Sequence, residues 1–221
     1  KAHYDKAYTR AYTTEVVQGK HGVKITSHAS VVAETVQKIL DVTITWKIEA
    51  AGKIDADIAV TKDDEFPDLP RFGVRMFLDK KLSAVRYFGM GPQESYCDKH
   101  QAASHGLYRA DVGDLHEDYI RPQENGSHYD CEYVELNNSR YGIVASAEKA
   151  FSFNASYYTQ EELEEKTHNY ELIESDSVVF CVDYALNGIG SNSCGPVVLD
   201  QYRFDDVLFR FQFTLIPYVK G

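Results

Sequence analysis

The segment KILDVTITWKIEAAGKIDADIAVTK, residues 38–62, alternates apolar and polar side chains on either side of Ala51 and Gly52. Alternation with a period of two is typical of a strand that buries one face, and a break containing glycine is typical of a turn. The segment therefore predicts two antiparallel strands joined at Ala51 and Gly52.

Other segments repeat this strand pattern. In LFRFQFTLI (208–216), the side chains of Phe209, Phe211, Phe213 and Leu215 fall on one face of the predicted strand. The pattern also extends over GVKITSHASVV (22–32), DCEYVEL (130–136), YGIVASA (141–147) and FSFNASYY (151–158). The content of 16 Tyr and 11 Phe in 221 residues favours sheet as well. We therefore predict an all-β fold, a single large antiparallel β-sandwich.

Three local predictions complete the outline of the fold. RFGVRMFL (71–78) and LSAVRYFGM (82–90) have the pattern of a strand pair joined near residues 79–81. The acidic stretch TKDDEFPDLP (61–70), with two prolines, is predicted to be an internal crossover. The stretch YTQEELEEKTH (158–168) predicts one short helix, because Thr159 and Glu162 have the spacing of a capping box.

Charge and composition exclude two classes of function. The formal net charge is −11 and no run of Lys or Arg occurs, whereas nucleic-acid binding needs clustered basic side chains. No stretch approaches the roughly 18 apolar residues that a membrane span needs. The chain starts at Lys1 without a methionine or an apolar signal segment, which favours an excised fragment or a processed chain.

The four cysteines show no CxxC pair and no dense framework. They are Cys97, Cys131, Cys181 and Cys194. In a chain of this length, such spacing predicts free thiols in a reducing, cytoplasmic compartment, although the even number also permits disulfides.

The stretch YFGMGPQESYCDKHQAASHGLY, residues 87–108, leaves a catalytic centre, a metal site and a structural loop open. Cys97, His100 and His105 form C-x2-H-x4-H, which supplies three ligands where a structural zinc site uses four. A loop held by ordinary hydrogen bonds is therefore the better interpretation, and no metal site is predicted in this chain.

Carboxylates near the predicted loops offer a second chemistry, because glycoside hydrolysis uses a pair of them. The residues with this potential are Glu94, Asp118, Glu124 and Asp130, and the loop histidines that could exchange protons with them are His105, His128 and His168. With 34 acidic residues in the chain, such combinations arise by chance, so most are expected to be solvated surface groups.

The order of five motifs is more specific than any one of them. These are PRFGV (70–74), YFGMGPQESYCD (87–98), YIRPQENG (119–126), FNASYYTQEELEEKTHNYEL (153–172) and GIGSNSCGP (188–196). Together they resemble the C-terminal domain, domain 5 or small chain, of glycoside hydrolase family 2 β-galactosidases. By this resemblance, the stretch 87–108 is a structural loop tied to its neighbour PQENG.

The resemblance implies a galactose mutarotase-like super-sandwich over residues 1–221, as one domain of a larger enzyme. In that family, the catalytic glutamates and the magnesium and sodium ligands lie on a central (β/α)8 barrel, which typically needs about 250 residues by itself. The resemblance therefore implies no catalytic residue, metal or other cofactor in this chain. The implied partners are the remaining domains or large subunit, a β-galactoside such as lactose and further copies of the parent enzyme.

The resemblance also implies a loop that reaches the mouth of the active site, matching SNSCGP here. Where the best-studied family member has a Trp that stacks on the sugar, this sequence has Cys194. The aromatic platform is therefore absent, and Asn192, Ser193 and Cys194 are the predicted substrate-binding residues. The alternative is that the loop only packs against the barrel.

A second hypothesis belongs to another class of protein. A mutarotase-like fold would also suit a free-standing sugar epimerase or a carbohydrate-binding domain, with Glu and His side chains available for proton transfer. Fold alone does not confer such an activity.

Overall fold

The computed structural model describes residues 3–33, 36–189 and 197–221. Regular structure within these ranges is almost entirely antiparallel strand, with one six-residue α-helix. The strands are β1 Tyr8–Gly19, β2 Gly22–Ala33, β3 Val36–Glu49, β4 Ile54–Lys62, β5 Arg71–Asp79, β6 Ala84–Gly91, β7 Ser104–Asp111, β8 His128–Asn137, β9 Tyr141–Ser156, β10 Ser177–Leu186 and β11 Leu208–Val219. The prediction of an all-β, antiparallel fold is confirmed.

Helix α1 (Gln160–Glu165) is the short helix that the sequence predicts. The Thr159 hydroxyl accepts a hydrogen bond from the Glu162 N–H at 3.1 Å, which satisfies one of the unpaired amides of the first turn. The apolar side chain of Leu163 is buried. Within the ranges described above, no helix has the length and apolar character needed to cross a membrane.

The chain divides into two compact units. The first comprises Lys1–Leu69 and Phe204–Pro217, and the second comprises Pro70–Arg203 and Tyr218–Gly221. The first crossing from one unit to the other lies at the end of the stretch 61–70. The predicted crossover therefore coincides with a boundary between units.

In the first unit, the strands follow the order β1, β2, β3, β4 and β11, and each neighbouring pair is antiparallel. The turn between β3 and β4 has Gly52 at φ 93°, a backbone conformation that side chains beyond glycine rarely adopt. The Glu49 N–H donates to the Lys53 carbonyl at 2.8 Å and closes the turn. The predicted hairpin is confirmed.

The apolar core of the first unit depends on the alternation in β11. Phe209, Phe211, Phe213 and Leu215 are buried, whereas Leu208, Arg210 and Gln212 between them are exposed. The ring of Trp46 on β3 packs edge-on against Phe213, with 6.1 Å between the centroids. The one-faced strand predicted from LFRFQFTLI is therefore confirmed.

In the second unit, the strands follow the order β7, β6, β8, β9, β10 and β5, again with antiparallel neighbours. Strand β9 runs through both YGIVASA and FSFNASYY, which the sequence presents as two segments. Strand β7 is not predicted by the sequence, and its first residues lie in the stretch 87–108. Its outward residues are exposed, so it carries no clear apolar alternation.

The predicted pairing of RFGVRMFL with LSAVRYFGM is wrong. Strand β5 pairs with β10, from Asp79 opposite Ser177 to Arg71 opposite Leu186, whereas β6 pairs with β7 and β8. Strand β10 is buried from Val178 to Asp183, and a buried strand needs a hydrogen-bonding neighbour on each side. Strands β5 and β9 supply those neighbours, which local turn patterns do not reveal.

Candidate functional site

The predicted substrate-binding residues Asn192, Ser193 and Cys194 lie outside the described residues. The chain that leads to and from them is described up to residue 189 and from residue 197. On the leading side, the Ile189 N–H donates to Asp98 Oδ1 at 3.1 Å, and the Gly188 N–H donates to the Tyr202 carbonyl at 2.9 Å. The carboxylate of Asp98 therefore holds the last described residue before this segment.

Cys97 strengthens the same junction. Its thiol faces the carbonyl oxygens of Leu186 at 3.6 Å and Tyr202 at 3.8 Å, so it contacts both sides of the segment's base. Burial raises the pKa of Cys97 to about 11, and the sulfur remains a protonated thiol at neutral pH. Cys97 is thus a packing and hydrogen-bonding residue.

Glu94 is the centre of a hydrogen-bonded cluster that joins PQES to PQENG. Its carboxylate accepts from Lys99 Nζ at 2.6 Å, from the Gly126 N–H at 2.9 Å and from the Tyr96 hydroxyl at 3.0 Å. The Tyr119 hydroxyl donates to it as well. Four donors surround one carboxylate whose side chain is 6% exposed.

This environment keeps Glu94 ionised. Burial alone would raise the pKa of Glu94, but the hydrogen bonds from Lys99, Tyr119 and Gly126 outweigh it, and the pKa is lowered. A general acid needs a raised pKa and a free proton to donate, and Glu94 has neither at neutral pH. Its geometry suits a structural anchor.

Backbone contacts complete the connection between the two motifs. The Ser95 N–H donates to the Ser127 carbonyl at 2.7 Å, and the Tyr129 N–H donates to Ser95 Oγ at 2.9 Å. Residues 92–103 form a loop tied to PQENG, as predicted, whereas the two ends of the stretch 87–108 belong to strands β6 and β7.

We expect Glu94→Gln to lower the free energy of unfolding by about 1–3 kcal/mol, because an amide NH2 would face donors that have lost their acceptor. Urea unfolding at pH 7 measures this, with the exposed Glu132→Gln as the matched control. Because the pKa of Glu94 is lower in the folded chain than its usual value of 4.5, its ionised carboxylate stabilises the folded chain at pH values above 4.5. This contribution is lost as the pH falls below 4.5 and through the lowered pKa. Equal loss in both variants would contradict the anchor role.

A second buried charge cluster lies where β5 meets β10. Arg71 Nε donates to Asp183 Oδ1 at 2.8 Å and Nη2 donates to Oδ2 at 2.6 Å, while Nη1 contacts Glu124. Burial raises the pKa of Asp183 and the Arg71 guanidinium opposes that effect. The proximity of Asp183 holds the pKa of Arg71 well above its usual range, against the effect of burial. Glu124 is therefore an ion-pair partner of Arg71.

The residues of the C-x2-H-x4-H pattern do not converge. His100 Nδ1 lies 2.9 Å from the Tyr96 carbonyl and His105 Nε2 lies 3.1 Å from the Asp130 carbonyl, while Cys97 faces other carbonyls. Among residues 3–33, 36–189 and 197–221, no group of three or more His, Cys, Asp or Glu side chains could hold a metal ion. Cys97, Cys131 and Cys181 are free thiols, and Cys194 lies outside those ranges.

The prediction that His105 and His128 are loop residues is wrong, because His105 lies on β7 and His128 on β8. His128 is the first residue of β8, 1% exposed, with its ring stacked on Phe153 at 5.0 Å between centroids. Burial lowers the pKa of His128 to about 4, so the ring is neutral at pH 7. His128 belongs to the core.

Comparison with known proteins places these motifs in a family. A family model described as "Beta galactosidase small chain" matches residues 1–215. The chain belongs to the β-galactosidase small chain family. The resemblance that the ordered motifs suggested is therefore confirmed.

The relatives of this small-chain sequence are named β-galactosidases. That of Actinobacillus pleuropneumoniae is 48% identical over 215 residues, covering 97% of this chain and 21% of that protein. That of Staphylococcus xylosus is 34% identical, covering 96% of this chain and 21% of that protein. That of Kluyveromyces lactis is 32% identical, covering 90% of this chain and 20% of that protein. The chain therefore spans about a fifth of the length of these relatives.

Among solved structures, one that this chain matches is the GalM/aldose epimerase homologue from C. elegans. The match covers 95% of the small-chain sequence and 69% of that chain, at 9% identity and a TM-score of 0.43.

Sequence reasoning missed the Arg71–Asp183 pair, whose members are 112 residues apart. The small-chain motif PRFGV contains Arg71, but the motif gives no indication of its partner. Gly73 in the same motif lies opposite Asp183, and a Cβ there would come within 2.1 Å of Asp183 Oδ1. The glycine is the one local signal of a close approach across the strands.

Proposed function

We propose that this chain is the C-terminal domain of a family 2 β-galactosidase, a retaining enzyme that hydrolyses terminal β-galactose from β-galactosides such as lactose. The observation that carries the proposal is the match of nearly the whole chain to about a fifth of named β-galactosidases. Residues 1–221 then act as one domain, and the catalytic glutamates belong to another part of the polypeptide.

The described residues give no fit for the magnesium and sodium of the parent enzyme. They contain no cluster of three or more side chains that could ligate a metal, and Glu94 and Glu124 are occupied by protein donors. We assign both ions to the barrel of the parent.

The role proposed for this domain is to supply the segment around Asn192, Ser193 and Cys194 to the mouth of the active site. Asp98 and Cys97 support this proposal, because they brace the described chain at the base of that segment. A fixed base reduces the conformational freedom that is lost when a segment orders around a ligand.

The partners of the domain are proposed from the same relationship. They are the remaining domains or large subunit of the enzyme, its β-galactoside substrate and further copies in a homo-oligomer. A cytoplasmic location is supported by the free thiols of Cys97, Cys131 and Cys181, since disulfides are rare in that compartment.

Deleting residues 191–194 from the full-length enzyme is the test of the loop. We expect inhibition by a lactose analogue to weaken about tenfold and inhibition by galactose to change less than twofold, because the galactosyl subsite lies on the barrel. Cys194→Trp should lower the inhibition constant of the lactose analogue by adding a stacking surface. In a separate assay, the 221-residue chain alone should not hydrolyse a chromogenic β-galactoside. Equal responses of both ligands would show that the segment only packs.

A further inference from the structure

The outward face of strands β7, β6 and β8 is an unusual surface for a chain with a net charge of −11. Phe88 lies directly opposite Leu107 on one side and Tyr133 on the other. Two positions away along the strands, Arg86 lies directly opposite Arg109 and Glu135. Directly opposed residues of antiparallel strands share one face, so these six side chains form a single surface, the β7–β6–β8 face.

The apolar part of this face is incompletely covered. The alternate residues Val85 and Tyr87 point inward and are buried, whereas Leu107 is 55% exposed. Phe88 is half-buried, and its ring packs edge-on against His105 at 4.7 Å between centroids. The face therefore presents an aromatic ring and a leucine side by side.

The charged part of the face contains an unbalanced cation. Arg86 Nε lies 2.7 Å from Glu135 Oε2, and the Tyr218 hydroxyl donates to the other oxygen of that carboxylate. Arg109 is exposed on the edge strand β7 and makes no ion pair or side-chain hydrogen bond with the described residues. Glu135 neutralises Arg86, so Arg109 is the arginine of this opposed pair that has no carboxylate within ion-pair distance among the described residues.

A groove of about 650 Å³ extends the charged end of the face. Its charged lining residues are the bases Arg86, Arg109 and Lys220 and the acids Asp111, Asp114 and Glu135. Lys220 Nζ already donates to Asn137 Oδ1 at 2.9 Å, which leaves Arg109 as the cation most open to an incoming group. The groove has room for a side chain beside the guanidinium groups.

We propose that the β7–β6–β8 face docks the remainder of the β-galactosidase polypeptide, through an apolar side chain on Phe88 and Leu107 and a carboxylate on Arg86 and Arg109. This inference rests on the proposed function. Arg and aromatic side chains are enriched in the buried centres of protein interfaces, and a guanidinium binds a carboxylate through two parallel hydrogen bonds.

The choice of occupant follows from length and charge. The named relatives are about five times as long as this chain, so most of the polypeptide lies outside it. A second copy of this chain would bring another net charge of −11 against the first, whereas the exposed arginine needs only one local carboxylate. The remaining polypeptide is therefore the occupant to which the inference commits.

Thiol labelling tests the inference in the full-length enzyme carrying Leu107→Cys. The rate of maleimide attachment to the peptide containing residue 107 is measured in the native protein and in urea. We expect labelling to be at least tenfold slower in the native protein, since the described residues leave this site 55% exposed and the remaining polypeptide would cover it. Adding Arg109→Glu should accelerate native labelling at least threefold, whereas the exposed Arg121→Glu should not.

Three outcomes would overturn the inference. Native labelling at the unfolded rate would show that the face is free. Equal effects of Arg109→Glu and Arg121→Glu would show that Arg109 has no special contact with a carboxylate. Protection from labelling that is lost on dilution would identify a second copy as the occupant. Hydrolysis of a chromogenic β-galactoside by the same proteins tests the proposed function separately, because labelling needs no substrate.

Discussion

Replacing Arg71 with methionine is expected to lower the free energy of unfolding by about 3–5 kcal/mol, the usual cost of breaking a buried ion pair. The substitution removes both hydrogen bonds to Asp183, whose side chain is 2% exposed. The aspartate would then be buried without a counter-charge or a donor. Urea unfolding of Arg71→Met at pH 7 measures the loss.

The same strand offers a matched control for that prediction. Arg75 on β5 pairs with Glu161 at 2.8 Å, but the two side chains are 37% and 66% exposed. Exposed pairs contribute about 0–1 kcal/mol, so Arg75→Met should change stability little. Similar losses in Arg71→Met and Arg75→Met would contradict the special role of the buried pair.

A double variant separates burial of a charge from loss of packing. In Arg71→Met/Asp183→Leu, no unpaired charge remains in the core, and replacement of a buried pair by apolar side chains is often neutral. We expect this variant to regain most of the stability that Arg71→Met loses. The remaining deficit would measure the contact with Glu124, which is 35% exposed and can be hydrated.

The parts of the fold that were predicted from the sequence are those fixed by local physics. The hairpin at Gly52, the capped helix after Thr159 and the one-faced strand β11 each depend on side chains within a dozen residues. The β5–β10 pairing was not predictable, because it depends on a buried strand a hundred residues away. Local alternation identifies a strand but leaves its neighbour undetermined.

The candidate site also has features that were predicted from the sequence and features that were not. The connection of the stretch 87–108 to PQENG was predicted from the family motifs, but the role of Glu94 in it was not, because the four donors to its carboxylate come together only in the folded chain. His128 was misjudged because a histidine beside Gly126 has the sequence texture of a loop. Its burial results from packing against Tyr87 and Phe153, which lie on other strands.

His128 leads to the second large effect, a loss of stability in mild acid. Its pKa is about 4 in the folded chain, against an ordinary value of 6.5, because burial disfavours the charged ring. Between these values, the unfolded chain binds a proton that the folded chain does not. Stability is therefore full above pH 6.5 and falls as the pH decreases toward 4, by about 3 kcal/mol from this residue.

The variant His128→Phe isolates this contribution. His128 Nδ1 lies 3.3 Å from the Met90 carbonyl, while Nε2 is buried without a hydrogen-bond partner in the described part of the chain. A phenyl ring keeps the stacking on Phe153 and removes the unpaired nitrogen, so the variant should remain folded at pH 7. Its stability should fall less steeply than that of the parent chain between pH 6.5 and 4.

The measurement is the difference in unfolding free energy between His128→Phe and the parent chain at half-unit pH intervals. Carboxylates titrate in both proteins, so their contribution cancels in the difference, and the protonation of His128 remains. The matched control is His21→Asn, because His21 is exposed and an effect of burial should be absent there. A constant difference from pH 7 to pH 4 would show that His128 has the same pKa in the folded and the unfolded chain. His128 would then become protonated in the folded chain in mild acid, which requires a rearranged core around Tyr87 and Phe153.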